Sequence, residues 1–376
     1  MCQTPPFRAD HVGSFLRPQE LIEAREAFAS GKISQEDLTQ VEDQAILDLV
    51  KKQQELGIEN ITDGEFRRSY WHLDFFWGLN GVEHVQAAEG YHFHDETTKA
   101  DSALLSGKIS GEGHPFVAHY KFLRDAVSDR GGVARLTIPA PSQFYFELIR
   151  DQEHAENLAQ FYPDFDQVVE AIKSAYLTVL EDLYQEGLRA IQVDDCTWGV
   201  LVDDNFLTAW GRGEKSKEEV RSELAQQFLT LNNAFYDAVP EDVTVTSHVC
   251  RGNFHSTWAS SGGYGPIAKE LLGDENVDAY YLEYDTDRAG DFEPLKALTP
   301  GKKVVLGLIT SKFGQLEDKE AVIARIKEAA QYVPLENLCL SPQCGFASTE
   351  EGNILTEEEQ WAKLKLVQEI AQEVWG

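Results

Sequence analysis

A closed (β/α)8 barrel is the fold this sequence predicts, on three observations. Eight short runs rich in β-branched residues recur along the 376 residues, most of them separated by helical periodicity. No G-x-G-x-x-G follows the first run, which argues against a doubly wound open sheet. The residues with unusual chemistry stand directly after the runs: Gly13-Ser14, Asp63-Gly64-Glu65, Asp194-Asp195, His248 and Cys250, Glu283, and Cys344. A barrel gathers the residues that follow its strands around one mouth.

The first run is His11-Val12 and the second spans residues 60–62. Between them, Ser34-Gln35-Glu36-Asp37 marks a helix start, because a serine oxygen can take the N–H three residues on while the acid there answers back. Val41, Ala45, Leu49 and Leu56 follow on one face, and Gly57 stops the helix. Residues 78–115 break the alternation. They are polar, contain Gly and His, and carry isolated apolar residues such as Tyr91 and Phe93, which predicts an insertion after the second strand, a hairpin over the barrel mouth. A helix over 116–127 returns to the scaffold, and the third run covers 133–138. The remaining runs are 190–193, 243–246, 279–282, 303–308 and 337–340. Val168, Ile172, Tyr176, Val179 and Leu183 form one helical stripe, ending at Gly187; Val220, Leu224, Phe228, Leu231 and Phe235 form another. Thr356-Glu357-Glu358-Glu359 is a capping box that opens a terminal helix facing Leu364, Val367, Ala371 and Val374 inward. No repeat of about 20–50 residues marks a solenoid or propeller. Residues 1–376 are therefore expected to form a single barrel that carries the 78–115 insertion.

Hydrophobic residues make up 42% of the chain, enough for a sizeable core. The apolar runs are far shorter than the ~20 residues that span a bilayer. Met1-Cys2-Gln3-Thr4-Pro5-Pro6 lacks a basic segment followed by an apolar one, so no signal peptide is read and a cytoplasmic protein is expected. The formal charge of −31 excludes nucleic acid and anionic membranes as partners, since both would be repelled. Five cysteines, at positions 2, 196, 250, 339 and 344, form no closely spaced framework and suit a reducing compartment. Cys2, Cys196 and Cys339 read as small buried hydrophobes.

His248-Val249-Cys250 closes one strand, and alternate residues of a strand point to one side, so both side chains can reach one ion. Cys344 follows another strand in Ser341-Pro342-Gln343-Cys344-Gly345, and Glu283 closes a third. Zn2+ accepts this mixture of sulfur, nitrogen and oxygen in tetrahedral geometry. Glu283 reads equally well as a hydrogen-bonding partner. Two thiolates and a carboxylate over-neutralise the ion, which makes it a poor generator of hydroxide. A substrate thiol with a pKa of about 8.5 still loses its proton there, so sulfur alkylation fits better than hydrolysis. His92-Phe93-His94-Asp95 has metal-like spacing but no comparable partners, and reads as solvated hairpin. Glu65 and Asp194 could cap helices or bind the amine of an amino-acid substrate, with Arg67 and Arg68 balancing them or binding a carboxylate.

Together these residues resemble the cobalamin-independent methionine synthase family, specifically its catalytic C-terminal barrel. The likeness runs over essentially the whole chain, through His11-Val12-Gly13-Ser14-Phe15, Asp63-Gly64-Glu65 with Arg68, Ile191-Gln192-Val193-Asp194, His248-Val249-Cys250, Tyr281-Leu282-Glu283 and Ser341-Pro342-Gln343-Cys344-Gly345. The resemblance implies a Zn2+ cofactor held by His248, Cys250, Glu283 and Cys344. It implies that Glu65 and Asp194 hold the amino group of homocysteine and that Gly13 and Ser14 touch its carboxylate. The reaction it implies is methyl transfer from 5-methyltetrahydrofolate or a related donor to homocysteine, giving methionine, with Glu283 loosening as the substrate sulfur arrives.

Two features depart from the family pattern. Full-length members carry a second, N-terminal barrel for polyglutamylated folate, for which this chain has no room. Members also carry a histidine after the seventh strand that assists proton delivery. Here the stretch reads Gly307-Leu308-Ile309-Thr310-Ser311-Lys312, leaving His255, Lys312 and Thr310 as candidates for that task. Two alternatives stand beside the main reading. One is a zinc alkyltransferase for another small thiol, similar to the coenzyme M transferases, to whose sulfonate Glu65 and Asp194 would be awkward neighbours. The other is a non-catalytic zinc- or thiol-binding protein.

Overall fold

The structure, a computed structural model, describes residues 4–127 and 131–376; Cys2 lies outside them. In chain order the strands are β1 (Asn60–Ile61), β2 (Asn80–Gln86), β3 (Asp101–Ser110), β4 (Val133–Ala134), β5 (Leu136–Pro139), β6 (Ala190–Asp194), β7 (Thr244–Val249), β8 (Ala279–Glu283), β9 (Lys303–Ile309) and β10 (Leu338–Pro342). Six of them form one parallel sheet in the order β10-β9-β8-β7-β6-β5. The first stave closes the ring. Ala9 bridges Leu340 in parallel, with Asp10 N–H donating to the Leu340 carbonyl at 2.9 Å, while Ser14 bridges Gly64 on the other side. β1 pairs in parallel with β4, and β4 continues into β5 across Arg135. The sheet thus returns on itself as a (β/α)8 TIM barrel.

β8 and β10 are buried along their whole length, as parallel strands covered on both faces must be, which is why their sequences read as near-continuous apolar runs. Cys339 packs with Val12, Tyr281 and Val305. One layer of the interior is polar instead. Arg135 donates to Gln192 Oε1 at 2.6 Å, to the Tyr281 hydroxyl at 2.9 Å and to the His11 carbonyl at 2.7 Å, and it faces Asp10 at 3.7 Å.

Long amphipathic helices wrap much of the ring. Helix Gln35–Glu55 is opened by the Ser34–Asp37 capping box and helix Glu357–Trp375 by the Thr356–Glu359 box. Leu364 joins Phe15, Leu21, Leu38 and Ile46 in a second apolar cluster, so the last helix packs against the first elements. Replacing Thr356 by alanine removes the oxygen that takes the Glu359 N–H at 3.2 Å. The expected loss is about 1 kcal/mol, measured as a lower denaturant midpoint that Thr356→Ser restores. After β7 and β8 the wrapping is thinner: only short turns occur, at Gly265–Ile267, Lys269–Asp274, Asp287–Ala289 and Glu293–Ala297. No helix among the described residues is long and apolar enough to cross a membrane.

The departure from alternation after β1 is an antiparallel hairpin of β2 and β3. Its connecting residues fold back over the barrel. His94 N–H donates to the Trp258 carbonyl at 2.7 Å, the Phe93 and Phe254 rings lie 5.2 Å apart, and His255 Nδ1 stands 2.9 Å from Glu96.

Candidate metal centre and active site

The end of β7 and the turn after β10 bring His248, Cys250 and Cys344 together, with their ligand atoms all within 4.8 Å of one another and all three side chains buried. Ligands at about 2.0–2.3 Å around one tetrahedral zinc stand roughly 3.3–3.8 Å apart, a contraction that side-chain torsions can supply. Hydrogen bonds from Cys196 and Cys344 hold the Cys250 thiol well below its ordinary pKa, against burial, and the two donor thiols are pushed well above theirs. β6 and β7 pair Asp194 with His248, and the Asp194 Oδ1 lies 3.1 Å from His248 Nδ1. Burial pulls the His248 pKa down, but the Asp194 hydrogen bond and the Cys250 charge outweigh it, leaving the pKa raised. A carboxylate oriented this way is the usual partner of a ligating imidazole.

Two residues stand differently from the sequence reading. Glu283 lies outside the His248–Cys250–Cys344 group. Its Oε2 accepts the Arg251 backbone N–H at 2.9 Å and its Oε1 accepts Arg288 Nη2 at 2.9 Å, so its carboxylate is held by an amide and a guanidinium rather than turned to the thiols. Cys196, read as a plain hydrophobe, has its Sγ 3.1 Å from that of Cys250 and lines the adjoining cavity. Its place directly after Asp194-Asp195, beyond a strand end, was the signal available for it.

That cavity, of about 400 Å3, is lined by Ser14, Glu65, Asp194, His248, Cys250 and Cys344 among others. Gly64 and Glu65 both take left-handed backbone, φ 69° and 62°, which turns the Glu65 side chain inward from the end of β1. Glu65 Oε1 accepts the Thr137 hydroxyl at 2.7 Å and faces Arg68 at 3.4 Å, while its Oε2 is buried with no hydrogen-bond partner. Burial raises the Glu65 pKa, Arg68 opposes this, and the Asp194 charge adds to the rise. Two acids that repel each other across a cavity, one with an oxygen to spare, ask for a cation between them. A Cβ on Gly345 would fall 1.9 Å from Ser14 Oγ, so only glycine lets the serine approach this closely. Gly13, at φ 143°, places its carbonyl on the Thr62 hydroxyl at 2.6 Å, and a Cβ there would stand 3.7 Å from Glu65 Oε1.

None of the three proton-donor candidates lines the cavity. His255 is partly exposed and paired with Glu96, Lys312 is buried with Nζ unpartnered, and the Thr310 hydroxyl accepts the Lys312 N–H at 3.2 Å. His92 reaches the cavity rim but bonds Glu89 and Thr97, while His94 pairs with Asp95, so the two histidines share no metal group. Arg67 pairs with Glu42 and Asp43, away from the site.

A family model described as "Cobalamin-independent synthase, Catalytic domain" matches residues 7–373. The chain is 45% identical to the uncharacterized protein YxjH of Bacillus subtilis over 374 residues, 98% of this chain and 95% of that protein. A methionine synthase of Saccharolobus islandicus is 23% identical over 351 residues, 92% of this chain and 90% of its own length. Among solved structures, a Listeria monocytogenes protein provisionally titled a vitamin-B12 independent methionine synthase superposes with a TM-score of 0.76 at 37% identity, covering 100% of this chain and 99% of that one. A B12-independent methionine synthase from a Shewanella species, solved with selenomethionine, has a TM-score of 0.69 at 18% identity over 98% and 97% of the two chains, and shares the fold.

Proposed function

The chain belongs to the cobalamin-independent methionine synthase family, and from that premise we propose that it methylates the sulfur of homocysteine to form methionine, using Zn2+ and a methyl-folate such as 5-methyltetrahydrofolate or a related donor. His248, Cys250 and Cys344 would hold the metal. When bound there, Zn2+ would lower the pKa of a coordinating thiol while leaving its sulfur electron-rich. Glu283, now bonded to Arg288, and Cys196, beside Cys250, would be the groups available to complete the ligand set.

This chain's own residues orient the acceptor. Glu65 and Asp194 take the ammonium group from two sides. Ser14, held close by Gly345, takes the carboxylate. Asp194 thus serves twice, because the same carboxylate also fixes the His248 ring. Four free cysteines among the described residues suit a cytoplasmic setting.

The observation that carries this reading is the unpartnered buried oxygen of Glu65 in the cavity that also holds the thiol cluster. It selects an acceptor with both an amine and a thiol, and it disfavours the sulfonate thiol of a coenzyme M type transferase. Glu65→Gln is expected to raise the KM for homocysteine about 10- to 100-fold, the worth of one charge-assisted hydrogen bond of about 1.5–3 kcal/mol, with zinc content unchanged. Steady-state kinetics on homocysteine and on 2-mercaptoethanesulfonate tests it. Equal use of both thiols by the wild type would sink the amino-acid acceptor.

A further inference from the structure

Cys196 and Cys250 face each other from two neighbouring strands. β6 and β7 pair Asp194 with His248, and the Asp195 N–H donates to the His248 carbonyl at 2.8 Å, so the ladder runs one residue past the end of β6. Carried two residues on, the same pairing sets Cys196 level with Cys250. Neighbouring strands lie about 4.8 Å apart, inside the roughly 4.4–6.8 Å between Cα atoms that a disulfide spans. The two Sγ atoms already stand 3.1 Å apart, so a shift of about 1 Å brings them to bonding distance. Gly199 keeps the segment close, since a Cβ there would fall 2.1 Å from the Cys250 carbonyl oxygen. Both residues line the cavity and Cys196 is partly exposed, so a small oxidant can reach the pair. The other thiols are placed differently. Cys344 follows β10, and β8 and β9 separate β10 from β7, which is more backbone distance than a disulfide bridges. Cys339 packs with Val12, Tyr281 and Val305.

We propose that Cys196 and Cys250 form a reversible disulfide that switches the metal centre off, closed by a hydroperoxide and reopened by a thiol. The proposal rests on the reading of Cys250 as a zinc ligand. In the closing step one sulfur attacks the terminal peroxide oxygen. A sulfur–oxygen bond forms, the oxygen–oxygen bond breaks, and the alcohol leaves with that thiol's proton. The second sulfur then attacks the first. The disulfide bond forms, the sulfur–oxygen bond breaks, and the hydroxyl leaves as water with the second proton. Two thiols and one hydroperoxide thus become one disulfide, one alcohol and one water, with sulfur oxidised and the peroxide oxygens reduced.

A metal binds the thiolate, and a sulfur spent in a disulfide has none to offer. Closing the bond therefore takes Cys250 out of the His248–Cys250–Cys344 group. Cys196 also limits the damage. A sulfenic acid captured by a neighbouring thiol stops short of the sulfinic acid, which thiols do not reverse. Disulfides of reducing compartments are mostly transient and redox-sensing, which is the use a pair of free thiols at this distance can serve.

The alternative is that Cys196 only packs against Cys250. The test treats the zinc-loaded wild type with stoichiometric hydrogen peroxide, then reads free thiols, a peptide map and zinc released to a coloured chelator. Two thiols per chain should disappear, the map should join Cys196 to Cys250, and zinc and methyl transfer should be lost together. Dithiothreitol with added zinc should restore both. In Cys196→Ser, compared only with its own untreated level, the same treatment should carry Cys250 to sulfinic acid, and dithiothreitol should recover none of the loss. A wild-type map that joins Cys250 to Cys344, or that shows Cys250 as sulfinic acid or still reduced, overturns the proposal whatever the variant does. A bridge that forms while zinc stays bound overturns the switch together with Cys250 as a ligand. A chain that bridges and releases zinc but never methylates homocysteine supports the switch and overturns the proposed reaction alone.

Discussion

Cys344→Ser is expected to empty the metal centre and remove methyl transfer. Zinc held by a full ligand set is worth about 10–16 kcal/mol, or roughly 2.5–4 kcal/mol per ligand. One lost thiolate thus weakens binding by about two to three orders of magnitude. Cys344 also donates to Cys250, so the substitution alters a bond that helps hold the Cys250 pKa down. Without the ion, an acceptor thiol with a pKa near 8.5 is only a few per cent ionised at neutral pH. Metal content after dialysis, together with the absorption of the cobalt-substituted protein as homocysteine is added, reads the first effect; methionine formation reads the second. A serine variant that keeps both metal and turnover would falsify the assignment.

The second large effect concerns stability. Arg135→Met is expected to cost about 3–5 kcal/mol, because it leaves a buried acid without its counter-charge. The guanidinium is 1% exposed, joins three staves of the ring through Gln192, Tyr281 and the His11 carbonyl, and opposes the rise in the Asp10 pKa that burial imposes. Removing it lets that pKa rise further. The folded state then binds a proton that the unfolded chain has lost, so the stability of the variant falls as pH climbs from the ordinary Asp value of about 3.9 toward the raised folded value. Urea denaturation near pH 5 and pH 7 should show the larger deficit at pH 7, and Asp10→Asn in the same background should recover part of it. A loss under about 1 kcal/mol at both pH values would contradict the argument.

Much of this architecture is legible in the residue pattern because burial writes it there. Parallel strands covered on both faces become apolar runs, and a barrel puts chemistry after each run, so Glu65, Asp194, His248, Cys250 and Cys344 stand out before any coordinates. The Thr356 box is legible for a similarly local reason. Torsions and long-range pairing leave no such mark. Nothing in the run 279–283 says that Glu283 turns to Arg288, and nothing in a lone cysteine after Asp195 says that it lies against Cys250. The break of one stave at Arg135 is equally silent, since a charged residue between two apolar pairs reads as a strand edge until its buried partners are seen.

The hairpin that folds back over the barrel splits the cavity lining between two parts of the chain. The residues proposed to bind the acceptor follow the ends of the barrel strands, whereas Tyr91, Phe93 and Thr98 reach the cavity from the inserted segment. Changes in the hairpin can therefore reshape one wall of the cavity without moving His248, Cys250 or Cys344.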